Sequence, residues 1–210
     1  MGINQNQFAF LQDHAFKYCS SGKMLELGNQ WMDISGYGPD WAKGYYKNNG
    51  WNHTSIDLNG TGGAFRADLR VPGHFPDETF DLVTDHGTLE HINGVNDQYK
   101  VFQNLHDWGK IGCVYTHVLP LQNKEHQAKN GWVFGMHGFF GYSSVFWKEF
   151  ADACGYELVY AGSDYGNLSG SRFYSCAAYI KRANSKLLSH DDFKELYGKY
   201  IDCYNQGSPV

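Results

Sequence analysis

Strand-like and helix-like segments alternate along most of this chain, and that alternation limits the fold more than any other feature of the sequence. Short apolar runs of the kind that form buried strands are separated by segments in which apolar residues recur every three or four positions. Such alternation predicts an α/β fold, a mostly parallel sheet with helices on both faces. The seven predicted strands cover residues 24–27, 53–58, 66–71, 80–84, 113–119, 156–160 and 173–180.

The segments between the strands supply the predicted helices and one departure from parallel order. Pro39 is expected to open one helix and Ser143 or Ser144 to cap another, because proline fits a first helical turn and serine oxygens bind free backbone amides. Residues 29–38 are predicted to form a loop. Only a loop, residues 161–172, joins the last two strands, so the final strand is predicted to insert antiparallel at one edge. The predicted helices cover residues 5–20, 39–48, 96–108, 143–154 and 189–204.

The composition is that of a globular chain. Hydrophobic residues make up 42% of the 210 residues and charged residues 19%, which is enough apolar material for a sizeable core. We predict a single domain over residues 1–210, with an N-terminal helix in 1–21, the sheet and its helices in 22–182, and a C-terminal helix in 183–210.

The charge and the cysteine content limit which partners we expect the protein to bind and in which compartment we expect it. The net charge is −5 and the basic residues are scattered, so we expect no nucleic-acid partner. No apolar stretch reaches the ~18 residues of a membrane-spanning helix, and the first residues lack the pattern of a secretory signal, so we expect no membrane association. None of the five cysteines forms a C-x-x-C pair, which favours free, mostly buried thiols and a cytoplasmic location.

Three segments carry acids or glycines near the end of a predicted strand. Met24-Leu25-Glu26-Leu27-Gly28 ends in acid-x-glycine, Ser55-Ile56-Asp57-Leu58 contains a terminal acid, and residues 80–92 form a strand followed by Leu-Glu-His. In this order they resemble the first, second and fourth motifs of the class I, Rossmann-like S-adenosylmethionine-dependent methyltransferases. The resemblance covers about residues 22–182 and implies a Rossmann-like sheet, S-adenosylmethionine as cofactor, and methyl transfer to a small-molecule or sugar-like acceptor.

The resemblance also implies roles for residues at the carboxyl ends of the strands, where open parallel sheets bind ligands. Glu26 is expected to order the loop and the cofactor's amino group, and backbone at Gly28 to approach the ligand, since glycine has no Cβ. Asp57 is expected to accept hydrogen bonds from two ribose hydroxyls. Asp68 is implied at the adenine edge, with a surface ion pair to Arg66 or Arg70 as the alternative. The implied cofactor-binding set is completed by Leu58, Leu69, Asp85 and His86.

Asn29 and Gln30 follow Gly28 where the family usually has a second glycine. The interval from Gly28 to Asp57 is 29 residues (57 − 28), against roughly 20 in a dinucleotide fingerprint, so the loop between them is enlarged. Two interpretations remain open: Asn29 and Gln30 bind the cofactor's carboxylate or amine, or they mark a non-catalytic binding module that has lost the cofactor. An NAD-linked oxidoreductase is disfavoured, because no G-x-G-x-x-G follows the first strand.

The acceptor side of the site is predicted from an acid and three histidines. Asp85 and His86 follow a strand at the position where the reacting methyl group should point, and histidine suits a general base near neutral pH. The alternative for His86 is a side chain that only lines the pocket or binds backbone. His117 ends another strand, and His137 lies in the aromatic segment 132–142, which forms either an acceptor lid or a cluster that covers the sheet. No compact spacing among the ten histidines indicates a metal site.

Overall fold

A computed structural model describes residues 2–121, 140–163, 165 and 173–203. The strands are β1 (Gly2–Asn4), β2 (Gly22–Leu27), β3 (Trp31–Ile34), β4 (Tyr37–Trp41), β5 (Trp51–Asp57), β6 (Phe65–Arg66), β7 (Phe80–Asp85), β8 (Gly109–Leu121), β9 (Phe140–Tyr142), β10 (Glu157–Gly162), β11 (Phe173–Ile180) and β12 (Ile201–Cys203). The α-helices in these ranges are α1 (Gln5–His14), α2 (Ala42–Asn48), α3 (Val95–Trp108), α4 (Ser144–Ala153) and α5 (His190–Tyr200).

Seven strands form the main sheet in the order β10-β11-β8-β7-β2-β5-β6. All neighbours run parallel except β11, which is antiparallel to both β8 and β10. The predicted α/β class, seven-stranded sheet and antiparallel strand are therefore confirmed. The predicted edge position of that strand is wrong, because β11 is buried and hydrogen-bonded on both sides, whereas the more exposed β10 occupies the edge.

Alternating side chains of the central strands build a hydrophobic core on each face of the sheet. In β2, Met24 points to the face covered by α1 and α2, and Leu25 points to the face covered by α3, α4 and α5. Leu82 and Val83 divide in the same way in β7. Helices therefore cover both faces, as predicted.

Three of the described α-helices, α1, α4 and α5, begin at side-chain caps that the sequence contains. Asn4 Oδ1 accepts hydrogen bonds from the amides of Asn6 and Gln7, while Gln7 Oε1 accepts from the Asn4 amide, which makes a reciprocal cap for α1. Ser143 Oγ accepts from the Phe146 amide at the start of α4, as predicted.

The segment predicted as loop 29–38 followed by a helix from Pro39 differs from the prediction. Strands β3 and β4 form a hairpin there, β1 adds to it in parallel, and the three make a separate small sheet. Pro39 lies inside β4, and α2 begins at Ala42. The hairpin forms because Met32 and Ile34 alternate with exposed residues and pack into the core beside α1. A run of four residues is too short for this alternation to be recognised in the sequence.

Three element boundaries also differ from the predictions. The strand predicted at 66–71 is limited to Phe65–Arg66, because the Asp68 carbonyl accepts the Val71 amide in a turn. The first helix ends at His14 rather than near residue 20. The last helix ends at Tyr200 rather than at residue 204, because Ile201–Cys203 pairs with β9.

Two findings concern the cysteines and the hydropathy of the helices. Cys113, Cys154 and Cys176 are buried and Cys19 is half-buried, and all four are free thiols, as predicted for them. Within the ranges given above, no helix is both long and apolar enough to cross a membrane.

Candidate functional site

The carboxyl ends of four adjacent strands, β5, β2, β7 and β8, meet at one edge of the main sheet. The register pairs Leu27 with Ile56 and with Asp85, and Asp85 with His117. Residues that lie far apart in sequence therefore converge there, as expected for a parallel sheet. The edge brings together eight of the predicted residues: Glu26, Gly28, Asn29, Gln30, Asp57, Asp85, His86 and His117.

Gly28 makes the tight turn that ends β2. Its φ of 74° is in the left-handed region, and its amide donates to the Ile56 carbonyl at 2.8 Å. A Cβ at this position would lie 2.8 Å from Thr88 Oγ1 and 2.9 Å from Gln30 Nε2. Glycine is therefore required by both conformation and space at this buried turn.

Asn29 ties the turn to the loop that follows β5. Its amide donates to Asp57 Oδ2 at 3.3 Å, and its Nδ2 donates to the Thr61 carbonyl at 2.7 Å. The Asn29 Oδ1 atom accepts from Ser55 Oγ at 3.4 Å. The side chain therefore holds two loops together, a role that the sequence did not predict.

Gln30 folds back over the end of β2. Its amide donates to Glu26 Oε2 at 3.3 Å and its Nε2 donates to the Leu27 carbonyl at 3.1 Å. The Gln30 side chain is buried, and its Oε1 has no hydrogen-bond partner within the described ranges. The Gln30 side chain is therefore held in place while its acceptor oxygen lacks a donor among the described residues.

Glu26 is fully buried next to a histidine and a tyrosine. His53 Nε2 lies 3.4 Å from Glu26 Oε2, and the His53 ring stacks on Tyr46 with 5.3 Å between centroids. Burial raises the pKa of the Glu26 carboxyl, while His53, the Gln30 amide and Lys43 act in the opposite direction. Glu26 Oε1 has no hydrogen-bond partner among the described residues, so a second buried oxygen is unsatisfied, on a carboxyl that accepts the Gln30 amide with its other oxygen.

Asp57 organises the loop after β5. Its Oδ1 accepts from the Asn59 amide at 2.9 Å, and its Oδ2 accepts from the Asn29 amide. The carboxylate is half-buried and retains lone pairs for further donors. Leu58, the next residue, is 62% exposed, so an apolar side chain lies uncovered beside the acid.

The two predicted residues after β6 have other partners. Asp68 forms an ion pair with Arg70 at 2.7 Å, and Arg70 also pairs with Asp97 at 2.9 Å. The ion-pair alternative for Asp68 is therefore confirmed, with Arg70 as the partner, and this pairing lowers the pKa of the Asp68 carboxyl. Leu69 packs in the core, and its carbonyl accepts from Asn104 Nδ2 at 2.7 Å.

Asp85, at the end of β7, and His117 form a buried pair. The predicted position of His117 at a strand end is wrong, because β8 continues to Leu121 through its pairing with β11. His117 Nδ1 lies 3.1 Å from Asp85 Oδ2, and His117 Nε2 lies 2.9 Å from the hydroxyl of Tyr179. Asp85 Oδ1 accepts from the Thr88 amide at 2.9 Å, and the His117 ring stacks on Trp147 at 4.5 Å. Each polar atom of the pair is already bound, so the pair fixes the loop after β7.

His86 differs from its neighbours because neither ring nitrogen has a hydrogen-bond partner in the part of the chain that the structure describes. The side chain is completely buried, which lowers its pKa to about 3, with the nearby His117 acting in the same direction. The ring is therefore neutral near pH 7. Glu90, from the Leu-Glu-His segment, is also buried, and burial raises its pKa well above the usual range.

The sequence did not identify the residues that surround the Glu26 carboxyl. His53, Tyr46 and Lys43 surround Glu26 from β5 and α2, and no motif connects them to it. The alternation of buried residues in Trp51–Asp57 was the one available signal, since it places His53 on the same face as Glu26. His137 lies outside the described residues.

Comparison with solved structures places this arrangement among known folds. A 1,6-didemethyltoxoflavin-N1-methyltransferase from Burkholderia thailandensis, solved with S-adenosylhomocysteine, is 14% identical, and the alignment covers 84% of this chain and 78% of that one, with a TM-score of 0.57. The N-methyltransferase NodS from Bradyrhizobium japonicum is 13% identical over 83% of this chain and 93% of its own, with a TM-score of 0.56. The fold is that of the Rossmann-like methyltransferases.

The Rossmann-like methyltransferase fold is also found in a protein with a different named activity. The [4+2]-cyclase SpnF is 11% identical over 83% of this chain and 79% of its own, with a TM-score of 0.56. No protein-family model matches the chain, and no curated protein matches its sequence significantly. Similarity at this level shows the fold, and the reaction has to be argued from the residues of the site.

Proposed function

We propose that this protein binds S-adenosylmethionine and transfers its methyl group to a small-molecule acceptor. The observation that carries the proposal is the pair of buried, unsatisfied oxygens, Glu26 Oε1 and Gln30 Oε1, beside the glycine turn of β2. A buried polar atom without a partner costs about 1–3 kcal/mol, so the pair favours a ligand that brings donors. The cofactor's ammonium group is such a donor.

The remaining cofactor contacts follow from the edge of the sheet. Backbone at Gly28 meets the ligand where a Cβ has no space, and Asp57 accepts ribose hydroxyls with its free lone pairs. Asn29 acts by holding the two loops together. The exposed Leu58 side chain packs against the adenine ring. Roles of Asp68 and Leu69 at the adenine edge stay predictions. In the structure, Asp68 forms an ion pair with Arg70 and the Leu69 side chain packs in the core.

The acceptor side requires a group that aligns the acceptor and a rigid support. When bound, the cofactor supplies a methyl group on a positively charged sulfur, which an acceptor lone pair displaces in line. His86 is neutral, so a ring nitrogen can accept a hydrogen bond from an acceptor hydroxyl or amine and align it, whereas the pKa of about 3 makes the ring a weak base near pH 7. Asp85 and His117 act as positioning residues, because their polar atoms are committed to each other, Thr88 and Tyr179. A role for His137 stays a prediction.

The surroundings of the protein follow from the same proposal. The free thiols of Cys19, Cys113, Cys154 and Cys176 suit a reducing compartment, which supports the predicted cytoplasmic location. The acidic net charge of −5 favours a small acceptor over a nucleic acid.

Calorimetric titration tests the cofactor half of the proposal. Wild type is expected to bind S-adenosylmethionine and S-adenosylhomocysteine, and Asp57→Ala to weaken both by roughly 10- to 100-fold, because charged hydrogen bonds to the ribose are lost. Asp33→Ala, an exposed acid in the nearby hairpin, serves as the control and should bind like wild type. Absence of binding to wild type would refute the proposal.

Transfer of a labelled methyl group tests the catalytic half. Wild type is expected to label members of a panel of small hydroxyl, amine and sugar compounds. His86→Asn should lower the transfer rate by about 10²-fold with little change in cofactor affinity, because it removes the ring nitrogen that aligns the acceptor. His91→Asn, at an exposed histidine, is the matched control. Tight cofactor binding without labelling of any compound would favour the alternative of a non-catalytic binding module.

A further inference from the structure

Lys43 lies beside the loop that follows β5, although it comes from the helix after the small sheet rather than from a strand of the main sheet. It follows β4 in the first turn of α2 and is half-buried. Its ammonium group lies against Gly63, where an added Cβ would be 2.9 Å from Lys43 Nζ. The charge of Lys43 acts on the Glu26 carboxyl, so it lies within electrostatic reach of that group.

The backbone amides of the turn are not free to bind an anion. The Gly28 amide donates to the Ile56 carbonyl, the Asn29 amide to Asp57, and the Gln30 amide to Glu26. Each bond is made inside the protein. An anionic ligand group at this turn therefore needs a side-chain donor.

Lys43 is the cation available for this purpose. It makes no ion pair or hydrogen bond within the part of the chain that the structure describes. Among the described residues, Glu26 Oε1 and Gln30 Oε1 are acceptors without donors, and the charge of Lys43 reaches the Glu26 carboxyl. One cation and two acceptors match the two charges of an α-amino acid.

We propose that Lys43 binds the α-carboxylate at the amino-acid end of the cofactor, opposite the ammonium group held by Glu26 and Gln30. The inference rests on the proposed function and adds to it a carboxylate-binding residue. It makes the free carboxylate a determinant of affinity. A ligand that keeps the adenosine and the ammonium group but lacks the carboxylate loses the contact with Lys43.

The experiment is a titration cycle with two ligands and two proteins. S-adenosylmethionine and decarboxylated S-adenosylmethionine differ in the carboxylate alone, and Lys43→Met removes the ammonium but keeps the apolar stem of the side chain. We expect Lys43→Met to weaken the affinity for S-adenosylmethionine by about tenfold or more, because a charged hydrogen bond is lost. The affinity for the decarboxylated ligand should not change. Lys47→Met, at an exposed lysine of the same helix, is the control and should change neither affinity.

The outcomes separate the inference from the proposed function. If wild type binds S-adenosylmethionine and Lys43→Met binds it equally well, or weakens both ligands by the same factor, the carboxylate role is overturned and the cofactor site stands. If wild type binds neither ligand, the proposed function and this inference both fail. Equal melting temperatures of Lys43→Met and wild type establish that a loss of affinity does not come from unfolding.

Discussion

At the scale of single residues, the buried carboxyl of Glu26 determines how the site depends on pH. The groups that face it are His53 from β5 and Lys43 and Tyr46 from α2, together with the Gln30 amide. Burial is the largest effect and raises the pKa of Glu26 above its usual value. An ammonium ligand favours the ionised form, so binding of the cofactor should release a proton from Glu26 wherever the free protein holds one.

We therefore expect cofactor affinity to fall as the pH falls through the raised pKa of Glu26 and to level off above it. Below that pKa the carboxyl is neutral in the free protein and has to lose its proton before it pairs with the ammonium group. Titrations with S-adenosylhomocysteine between about pH 5 and pH 8 measure the slope. Glu26→Gln should bind more weakly and without this slope, and an identical slope in that variant would assign the effect to another group.

At the scale of elements, the small sheet of β1, β3 and β4 takes the place of the predicted loop and supports the site. The hairpin of β3 and β4 leads directly into α2, which carries Lys43 and Tyr46. Trp41, at the end of β4, packs on the loop after β5, where a Cβ at Gly62 would be 2.8 Å from its ring and would also meet Asn29 Nδ2. The segment of β3, β4 and α2 is thus in contact with the loop after β5 and with Asn29 in the loop after β2.

A pair of glycine substitutions tests the contact between the small sheet and the cofactor loops. Gly62 and Gly36 both have positive φ, at 63° and 82°, but a Cβ at Gly36 meets nothing within 4 Å. Gly36→Ala should cost about 1 kcal/mol of unfolding free energy through backbone conformation alone. Gly62→Ala should cost about 1–3 kcal/mol more through overpacking and should weaken cofactor binding. Urea denaturation with titration measures both effects, and equal costs would contradict the packing between the two elements.

At the scale of the whole molecule, ligand binding and folding are expected to be coupled, because the site draws on four strands of one sheet. A ligand that binds only the folded chain at a hundredfold excess over its dissociation constant stabilises it by about 2.7 kcal/mol. For a chain of this size, that corresponds to a rise in melting temperature of about 5–11 °C with S-adenosylhomocysteine. NAD is the comparison ligand and should leave the melting temperature unchanged. A shift with NAD alone would favour an oxidoreductase instead.

The sequence by itself determined most strands of the main sheet. The apolar runs of β2, β5, β7, β8 and β11 are local patterns, and the turn at Gly28 follows from the properties of glycine itself. Glu26, Gly28, Asp57 and Asp85 were predicted from the resemblance of their motifs to a methyltransferase family, together with the position of those motifs at the carboxyl ends of predicted strands. The roles assigned to them in cofactor binding stay predictions until the titrations are made.

Only the tertiary structure decided which distant residues meet at that edge. His117 meets Asp85 across 32 residues and Tyr179 across 62, and no spacing in the sequence records either contact. The same is true of the insertion of β11 between β8 and β10, and of the placement of Lys43 and His53 beside Glu26. Periodicity reports which side of its own element a residue occupies, whereas these contacts depend on the order in which strands pair and on which buried polar groups find partners.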